Sequence, residues 1–326
     1  MRAPIENPII PFIRAQGRIV LDGGLATALE AHGHDLHDDL WSAKVLMEDP
    51  DAIRAVHRDF LTAGADCITT STYQATFAGF SAKGLSVEAA ERLLLRSVDL
   101  AVEARDAFWA DPEHRPGRLR PLVAASVGPY GAFLADGSEY TGDYGIDSVE
   151  LYDFHERRWQ VLAESRVDLM ACETIPSRSE AEVLLSLLQD TPDRWAWMSF
   201  SCRDGAHLND GTRLEHVAEL CAAEPRVAAV GINCTSPDHI SSLIGEARKA
   251  KPKPIIVYPN SGERYDPVHK QWVSAPSETD WGVLADEWAE LGAAGIGGCC
   301  RILPDDITKM RSSLLSPSPD GGMSSS

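Results

Sequence analysis

The chain of 326 residues carries 49 acidic and 30 basic side chains, for a net charge of −19 with histidine neutral. An acidic surface repels phosphate backbones, and no run of 18 apolar residues occurs, so neither nucleic acid nor a membrane is an expected partner. The seven cysteines are odd in number and widely spaced, which indicates reduced thiols in a cytoplasmic protein rather than a disulfide framework.

The two ends of the chain differ in composition from the rest. Residues 1–15 contain an acidic residue and early prolines in place of an apolar signal core, and we interpret them as an N-terminal extension, neither signal peptide nor anchor. Residues 315–326 are rich in Ser, Pro and Gly and are predicted to be a disordered tail. No linker interrupts residues 16–314, which predicts one domain there.

Short apolar runs recur along this domain, and each ends in polar or glycine-rich residues. Such runs are typical of parallel strands buried on both faces. They are 18–24, 66–73, 121–129, 168–174, 195–202, 227–234, 254–260 and 293–300.

Helical patterns lie between these runs. They include 51–64 after Pro50, the long amphipathic 87–108, a helix opened by a Ser177–Glu180 capping box, one with Ser236 as N-cap and Pro237 at N1, and 278–292. Eight strands alternating with helices predict a single (β/α)8 barrel. A doubly wound open sheet is the alternative, but no GxGxxG follows the first strand.

Chemistry in such a barrel lies at the C-terminal ends of the strands, and three thiols fall there. Cys234 ends the sixth run, and Cys299 and Cys300 end the eighth. Adjacent cysteines rarely bridge each other, whereas three thiolates leave the fourth position of a zinc ion open for catalysis. A metal-free thiol redox or thiol-binding protein and a barrel merely stabilised by zinc are the alternatives. The other four cysteines are predicted to be buried apolar residues.

Two carboxylates also end strands. Asp22 either caps the next helix or binds a ligand, and Glu173 stands in an apolar run, where a buried carboxylate needs a partner. The tract with His32, His34 and His37 is a weaker metal candidate, and its histidines also suit a polar loop. Residues 135–145 form a loop over the barrel mouth, either a lid or a solvated connection.

The motifs LDGGLAT, TTSTYQATFAGF, ASVGPYGAFLADGSEYTGDY, CETIPS, GINCTSP, VYPNSGERYD and GGCCR resemble those of the zinc-dependent homocysteine S-methyltransferases, most closely the S-methylmethionine-using branch. The resemblance covers about residues 17–310. It implies a (β/α)8 barrel with one Zn²⁺ held by Cys234, Cys299 and Cys300. It also implies that Asp22 and Glu173 bind the amino acid.

The implied reaction moves a methyl group from a small sulfonium donor, S-methylmethionine or, as a secondary donor, S-adenosylmethionine, to the zinc-bound thiolate of homocysteine, giving methionine. Selenocysteine or selenohomocysteine as acceptor and betaine as donor stay open. The sequence does not fix the oligomeric state, and a monomer is compatible with it. Further candidate substrate contacts are the N–H groups of Gly23 and Gly24, polar Asn233 and Gln74, and the aromatic Trp41, Tyr73, Tyr130 and Tyr258, for which ordinary packing is the alternative.

Overall fold

The computed structural model describes residues 6–34, 42–250, 253–262, 264–266, 271–273 and 279–315. Eight parallel strands form one sheet in the order β1-β10-β7-β6-β5-β4-β3-β2, and a parallel bridge between Leu21 and Cys67 joins its two edges. The predicted (β/α)8 barrel is therefore confirmed. The strands are β1 Ile19–Val20, β2 Cys67–Thr69, β3 Leu122–Val127, β4 Leu169–Ile175, β5 Ala196–Phe200, β6 Val227–Asn233, β7 Ile255–Tyr258 and β10 Ala293–Ile296, and a separate antiparallel hairpin pairs β8 Arg264–Asp266 with β9 Gln271–Val273.

Helices surround the barrel between successive strands. They are α1 Ile10–Gln16, α2 Leu25–Ala31, α3 Ser42–Glu48, α4 Pro50–Ala63, α5 Phe77–Ala82, α6 Val87–Ala110, α7 Tyr130–Leu134, α8 Ser148–Glu164, α9 Arg178–Gln189, α10 Leu214–Ala223, α11 Pro237–Lys249, α12 Trp281–Glu290 and α13 Pro304–Leu315. Among the helices described, none has both the length and the apolar character that crossing a membrane requires.

The barrel strands are buried on both faces, as their unbroken apolar runs predict. In β4, Leu169 and Ala171 join the cluster inside the barrel, while Met170 and Cys172 join the larger cluster between strands and helices. This period-2 alternation follows from the strand pleat. The four cysteines predicted as buried apolar residues, Cys67, Cys172, Cys202 and Cys221, are all buried.

The described part of the N-terminal extension packs against the barrel. Ile9 and Phe12 are buried in the cluster inside the barrel, and Asn7 Nδ2 donates to the carbonyl oxygen of Ala228 at 2.9 Å. Because Ala228 lies at the start of β6, helix α1 covers the end of the barrel opposite the strand ends that carry chemistry. The predicted tail lies outside the described residues from 316 onward.

Two predicted helix starts are only partly right. Ser177 Oγ accepts from the Glu180 N–H, but the Glu180 carboxylate does not return to the cap, because it is bound in a buried network described below. A complete capping box forms instead between Asp147 and Glu150 at the start of α8. Ser236 precedes α11 with Pro237 in its first turn, as predicted, but its side chain makes no capping hydrogen bond.

Candidate active site

Three cysteine sulfurs meet at the C-terminal ends of the strands. Cys234 follows β6 and Cys299 and Cys300 follow β10, with β7 between those strands. Their Sγ atoms all lie within 4.8 Å of one another, and those of Cys234 and Cys300 are 3.8 Å apart. Cys234 has the left-handed φ of 49°, an uncommon conformation for this residue type that turns the chain where strand β6 ends.

This cluster fits a tetrahedral metal ion. Zn–S bonds of about 2.3 Å place two ligand sulfurs roughly 3.8 Å apart, which matches the Cys234–Cys300 separation. A set of three thiols suits zinc better than magnesium or calcium. Hydrogen bonds from the Cys234 and Cys299 thiols lower the pKa of Cys300 well below its ordinary value, which favours a thiolate there. Within the described ranges, no other group of three metal-ligating side chains comes together.

The two predicted carboxylates line the same pocket as the cysteines. Asp22 Oδ2 accepts hydrogen bonds from the Thr69 N–H at 2.7 Å and from its hydroxyl at 3.1 Å, so the side chain does not cap the following helix. Glu173 accepts a short hydrogen bond from the Ser126 hydroxyl. These bonds fix both carboxylates at the barrel mouth.

Burial, together with the negative charge of Glu173, outweighs the hydrogen bonds from Thr69 and raises the pKa of Asp22 to about 8. Burial likewise raises the pKa of Glu173 to about 8. Asp22 is buried and Glu173 half-buried, and the charge of Glu173 disfavours ionisation of Asp22, so the two carboxylates gain from a cation between them. The pair is therefore suited to an ammonium group.

Asn233 holds the backbone beside this pair and does not line the pocket. Thr174, directly after Glu173, has a φ of 62°, which is strained for a β-branched residue. Asn233 Oδ1 accepts from the Thr174 N–H and its Nδ2 donates to the Thr174 hydroxyl, both at 2.8 Å. Asn233 Nδ2 also lies 4.0 Å from Cys299 Sγ. Its position indicates a structural contribution to the site rather than direct substrate contact.

Gly23 and Gly24 line the pocket where the chain packs tightly. A Cβ on Gly24 would lie 2.7 Å from the Cys299 carbonyl oxygen, and one on Gly23 would lie 2.6 Å from that of Ile302. The N–H of Gly24 donates to the Ile302 carbonyl at 3.0 Å, which removes it from the donors that a substrate carboxylate can use. The glycines thus let the segment after β10 approach the first strand.

The other predicted contacts divide into three groups. Tyr73, Gln74 and Tyr258 line the pocket. Tyr130 does not, because its ring packs against Phe133, Tyr144 and Phe154, so the packing alternative describes it. Trp41 lies outside the described residues.

The 135–145 loop contributes two pocket residues that the sequence did not single out. A 3-10 turn over Ser138–Tyr140 places Glu139 and Tyr140 in the pocket wall. Glu139 is only 7 % exposed, and burial raises its pKa to about 7. The predicted position of the loop over the barrel mouth is the sequence feature that indicates a contribution to the pocket. The sequence does not distinguish polar loop residues that face solvent from those that face a pocket.

The two described histidines of the histidine-rich tract, His32 and His34, do not face a common point. His32 faces Asp59 at 3.3 Å and His34 faces Asp49 at 4.0 Å, so the two pair with different carboxylates. His37 lies outside the described residues.

Comparison with known proteins agrees with this geometry. The homocysteine S-methyltransferase family model matches residues 19–314. The chain is 51 % identical to the homocysteine S-methyltransferase YbgG of Bacillus subtilis, covering 93 % of this chain and 96 % of that one. It is 47 % identical to a selenocysteine Se-methyltransferase of Brassica oleracea var. italica, over 92 % and 90 % of the two chains.

A solved structure is also similar. The metallated form of the homocysteine methyltransferase MmuM from Escherichia coli superimposes with a TM-score of 0.83 at 42 % identity, covering 93 % of this chain and 98 % of that one. The family model covers the barrel from its first strand to its last, including the strand ends that carry the pocket, and each of these relatives covers most of the chain. The chain therefore belongs to the homocysteine S-methyltransferase family.

Proposed function

We propose that the chain transfers a methyl group from a small sulfonium donor to the thiol of homocysteine, giving methionine. The observation that carries the proposal is the placement of three cysteine sulfurs and the carboxylates of Asp22 and Glu173 in one pocket at the barrel mouth. Sulfur ligands suit activation of a thiol, and carboxylates suit an amino acid's ammonium. Homocysteine presents both groups on one small molecule.

Cys234, Cys299 and Cys300 would hold one Zn²⁺ ion through their sulfurs. When bound, the ion would favour the thiolate form of the substrate sulfur, which is the nucleophilic form. The metallated state of the similar E. coli structure supports a metal in this family, and the all-sulfur donor set supports zinc as its identity.

Asp22 and Glu173 would bind the homocysteine ammonium through charge-assisted hydrogen bonds. Thr69 and Ser126 orient the two carboxylates, and the strained Thr174 turn held by Asn233 places Glu173 toward the pocket. Because these side chains are fixed before the substrate arrives, little ordering is needed at binding. Their main contribution is to orient the acceptor sulfur toward the methyl carbon.

The transfer breaks the donor's S–CH3 bond and forms a new one to the homocysteine sulfur. The donor sulfonium accepts the electron pair of the broken bond and leaves as a neutral thioether, while the acceptor thiol releases one proton. The leaving group therefore needs no general acid. With S-methylmethionine as donor, both products are methionine.

S-methylmethionine is the donor we propose, with S-adenosylmethionine as a secondary donor. Betaine as donor and selenocysteine or selenohomocysteine as acceptor are the alternatives. The similarity to the broccoli enzyme supports testing the selenium substrates. We also propose a cytoplasmic location, supported by the seven cysteines, all of which are free thiols. A monomer and the absence of a nucleic-acid partner stay predictions.

A zinc assay combined with methionine formation tests the proposal. Wild-type protein should hold one zinc per chain and form two methionines for each homocysteine consumed with S-methylmethionine. Cys299→Ala should lose both zinc and activity, whereas Cys221→Ala, which removes a buried thiol on α10, should keep both. Stoichiometric zinc retained by Cys299→Ala would contradict the ligand assignment. A metal-free, inactive wild type with reversibly oxidised thiols would instead support the thiol redox alternative.

A further inference from the structure

Two buried hydrogen-bond acceptors in the pocket wall have no partner among the residues that the structure describes. Gln74 is 4 % exposed and Glu139 is 7 % exposed, and both line the pocket that contains the three cysteines. Neither Gln74 Oε1 nor Glu139 Oε2 has a hydrogen-bond donor within the part of the chain that the structure describes. Buried polar atoms in folded proteins are nearly always paired, so two unpaired acceptors in one pocket point to a ligand.

The two side chains are held beside the same short helix, α7. Gln74 Nε2 donates to the carbonyl oxygen of Ala132 at 2.9 Å, which fixes the amide and leaves its Oε1 as the unpaired atom. The backbone of Glu139 packs closely against α7, since a Cβ on Gly131 would lie only 2.3 Å from the Glu139 nitrogen. Adjacent residues of α7 therefore position both acceptors.

The chemistry of the pair selects the ligand group. One acceptor is a carboxylate and both need a donor, so the complementary group carries positive charge and N–H bonds. A primary ammonium has both. A sulfonium and a quaternary ammonium are cations without N–H bonds, and they would leave the two oxygens unpaired.

This step rests on the proposed function, in which Asp22 and Glu173 take the ammonium of homocysteine. We infer that Gln74 and Glu139 bind the α-ammonium of the methyl donor, so that the enzyme selects amino-acid sulfoniums as a class. S-methylmethionine and S-adenosylmethionine belong to this class. Betaine does not, because its nitrogen is fully methylated.

Paired donors test the inference. S-methylmethionine and its deamino counterpart, (3-carboxypropyl)dimethylsulfonium, differ only in the ammonium group. At saturating homocysteine, wild type should prefer S-methylmethionine in kcat/KM by about 10- to 150-fold, the range for a hydrogen bond to a charged group. Glu139→Gln should lower kcat/KM for S-methylmethionine by a similar factor, change that for the deamino donor by less than about threefold, and leave the KM for homocysteine unchanged.

Matched variants separate this role from a general defect. Asp143→Asn removes an exposed charge from the same segment and should leave both donors unaffected. Gln74→Met should show the same donor-dependent loss as Glu139→Gln, and it keeps the test open if Glu139→Gln does not fold. Equal use of the two donors by wild type, or an equal loss on both donors in the variants, would overturn the inference. The proposed function would still stand in those cases, since it fails only if no sulfonium methylates homocysteine.

Discussion

The Tyr144 hydroxyl donates to Glu180 Oε2 at 2.8 Å and ties the segment over the barrel mouth to helix α9. The other oxygen of the same carboxylate accepts from the Tyr130 N–H at 2.6 Å and lies 2.8 Å from His155 Nε2. One buried side chain thus holds both ends of the 130–144 segment. Glu139 and Tyr140 lie between these anchors, so their position in the pocket depends on Glu180.

Tyr144→Phe should weaken the attachment of this segment without removing any side chain that lines the pocket. Loss of one partly buried hydrogen bond, with the buried Glu180 oxygen left unpaired, should lower the free energy of unfolding by about 1–3 kcal/mol. The KM for the methyl donor should rise severalfold while the KM for homocysteine stays unchanged. Denaturant unfolding and steady-state kinetics measure the two effects. Tyr152→Phe, which removes a long 3.4 Å surface bond to Asp190, is the control. An equal rise in both KM values would contradict a donor-side role.

The contacts of Glu180 also explain why the capping box predicted for Ser177 and Glu180 forms only in part. Ser177 and Glu180 have the spacing of a capping box, and the serine does cap α9. The glutamate instead binds groups that are distant in sequence, His155 and Tyr144 among them. Capping motifs describe contacts within a few residues, so they cannot anticipate a tertiary competitor for the same carboxylate.

Asp22→Asn should weaken acceptor binding. The amide keeps the shape but loses the negative charge that faces the ammonium, so kcat/KM for homocysteine should fall by about 10- to 150-fold. Zinc content should not change, because Asp22 lies outside the sulfur cluster. Steady-state kinetics with varied homocysteine and metal analysis give the two readouts. Asp51→Asn, an exposed carboxylate on α4, should behave as wild type. Zinc loss in Asp22→Asn would show that this residue acts through the metal site instead.

Removing the metal should stop turnover and leave the barrel folded. The strands are held by the larger core cluster, which contains none of the three cysteines of the site, and the parallel bridge from Leu21 to Cys67 joins the sheet edges. Chelator-treated protein should therefore keep its far-UV circular dichroism, lose activity and recover it on addition of Zn²⁺. Unfolding on chelation would favour the alternative of a structural zinc.

His57 should make the protein sensitive to acid. It is fully buried in α4, neither ring nitrogen has a partner among the described residues, and burial lowers its pKa from 6.5 to about 4. Between these values the unfolded chain binds a proton that the folded chain does not, so stability falls as pH drops below about 6.5.

His57→Leu should remove this penalty. The difference in unfolding free energy between His57→Leu and wild type should be about 2 kcal/mol more favourable to the variant at pH 5 than at pH 7.5. Urea unfolding at the two pH values measures the difference, and His216→Leu, which replaces an exposed histidine on α10, is the control. If His57→Leu changed the unfolding free energy equally at both pH values, buried His57 would not be the cause of the acid sensitivity.

The sequence predicted the barrel and the meeting of Cys234 with Cys299 and Cys300, because strand ends in this fold share one face. It did not distinguish pocket residues from supporting ones. Asn233 ends a strand as a ligand-binding residue would, yet its bonds go to Thr174 and Ser199. Glu139 lies in a polar loop as a solvated residue would, yet it is buried. Such differences depend on tertiary packing, which local pattern does not encode.

Zinc K-edge X-ray absorption, recorded with and without homocysteine, shows whether three cysteine sulfurs hold the metal and leave one position open for the substrate thiol. Three cysteine sulfurs and one open position predict three sulfur neighbours at about 2.3 Å in the resting protein and four after homocysteine is added. A nitrogen- or oxygen-rich coordination shell, or a sulfur count that homocysteine does not change, would contradict a zinc ion held by these three cysteines with one open position.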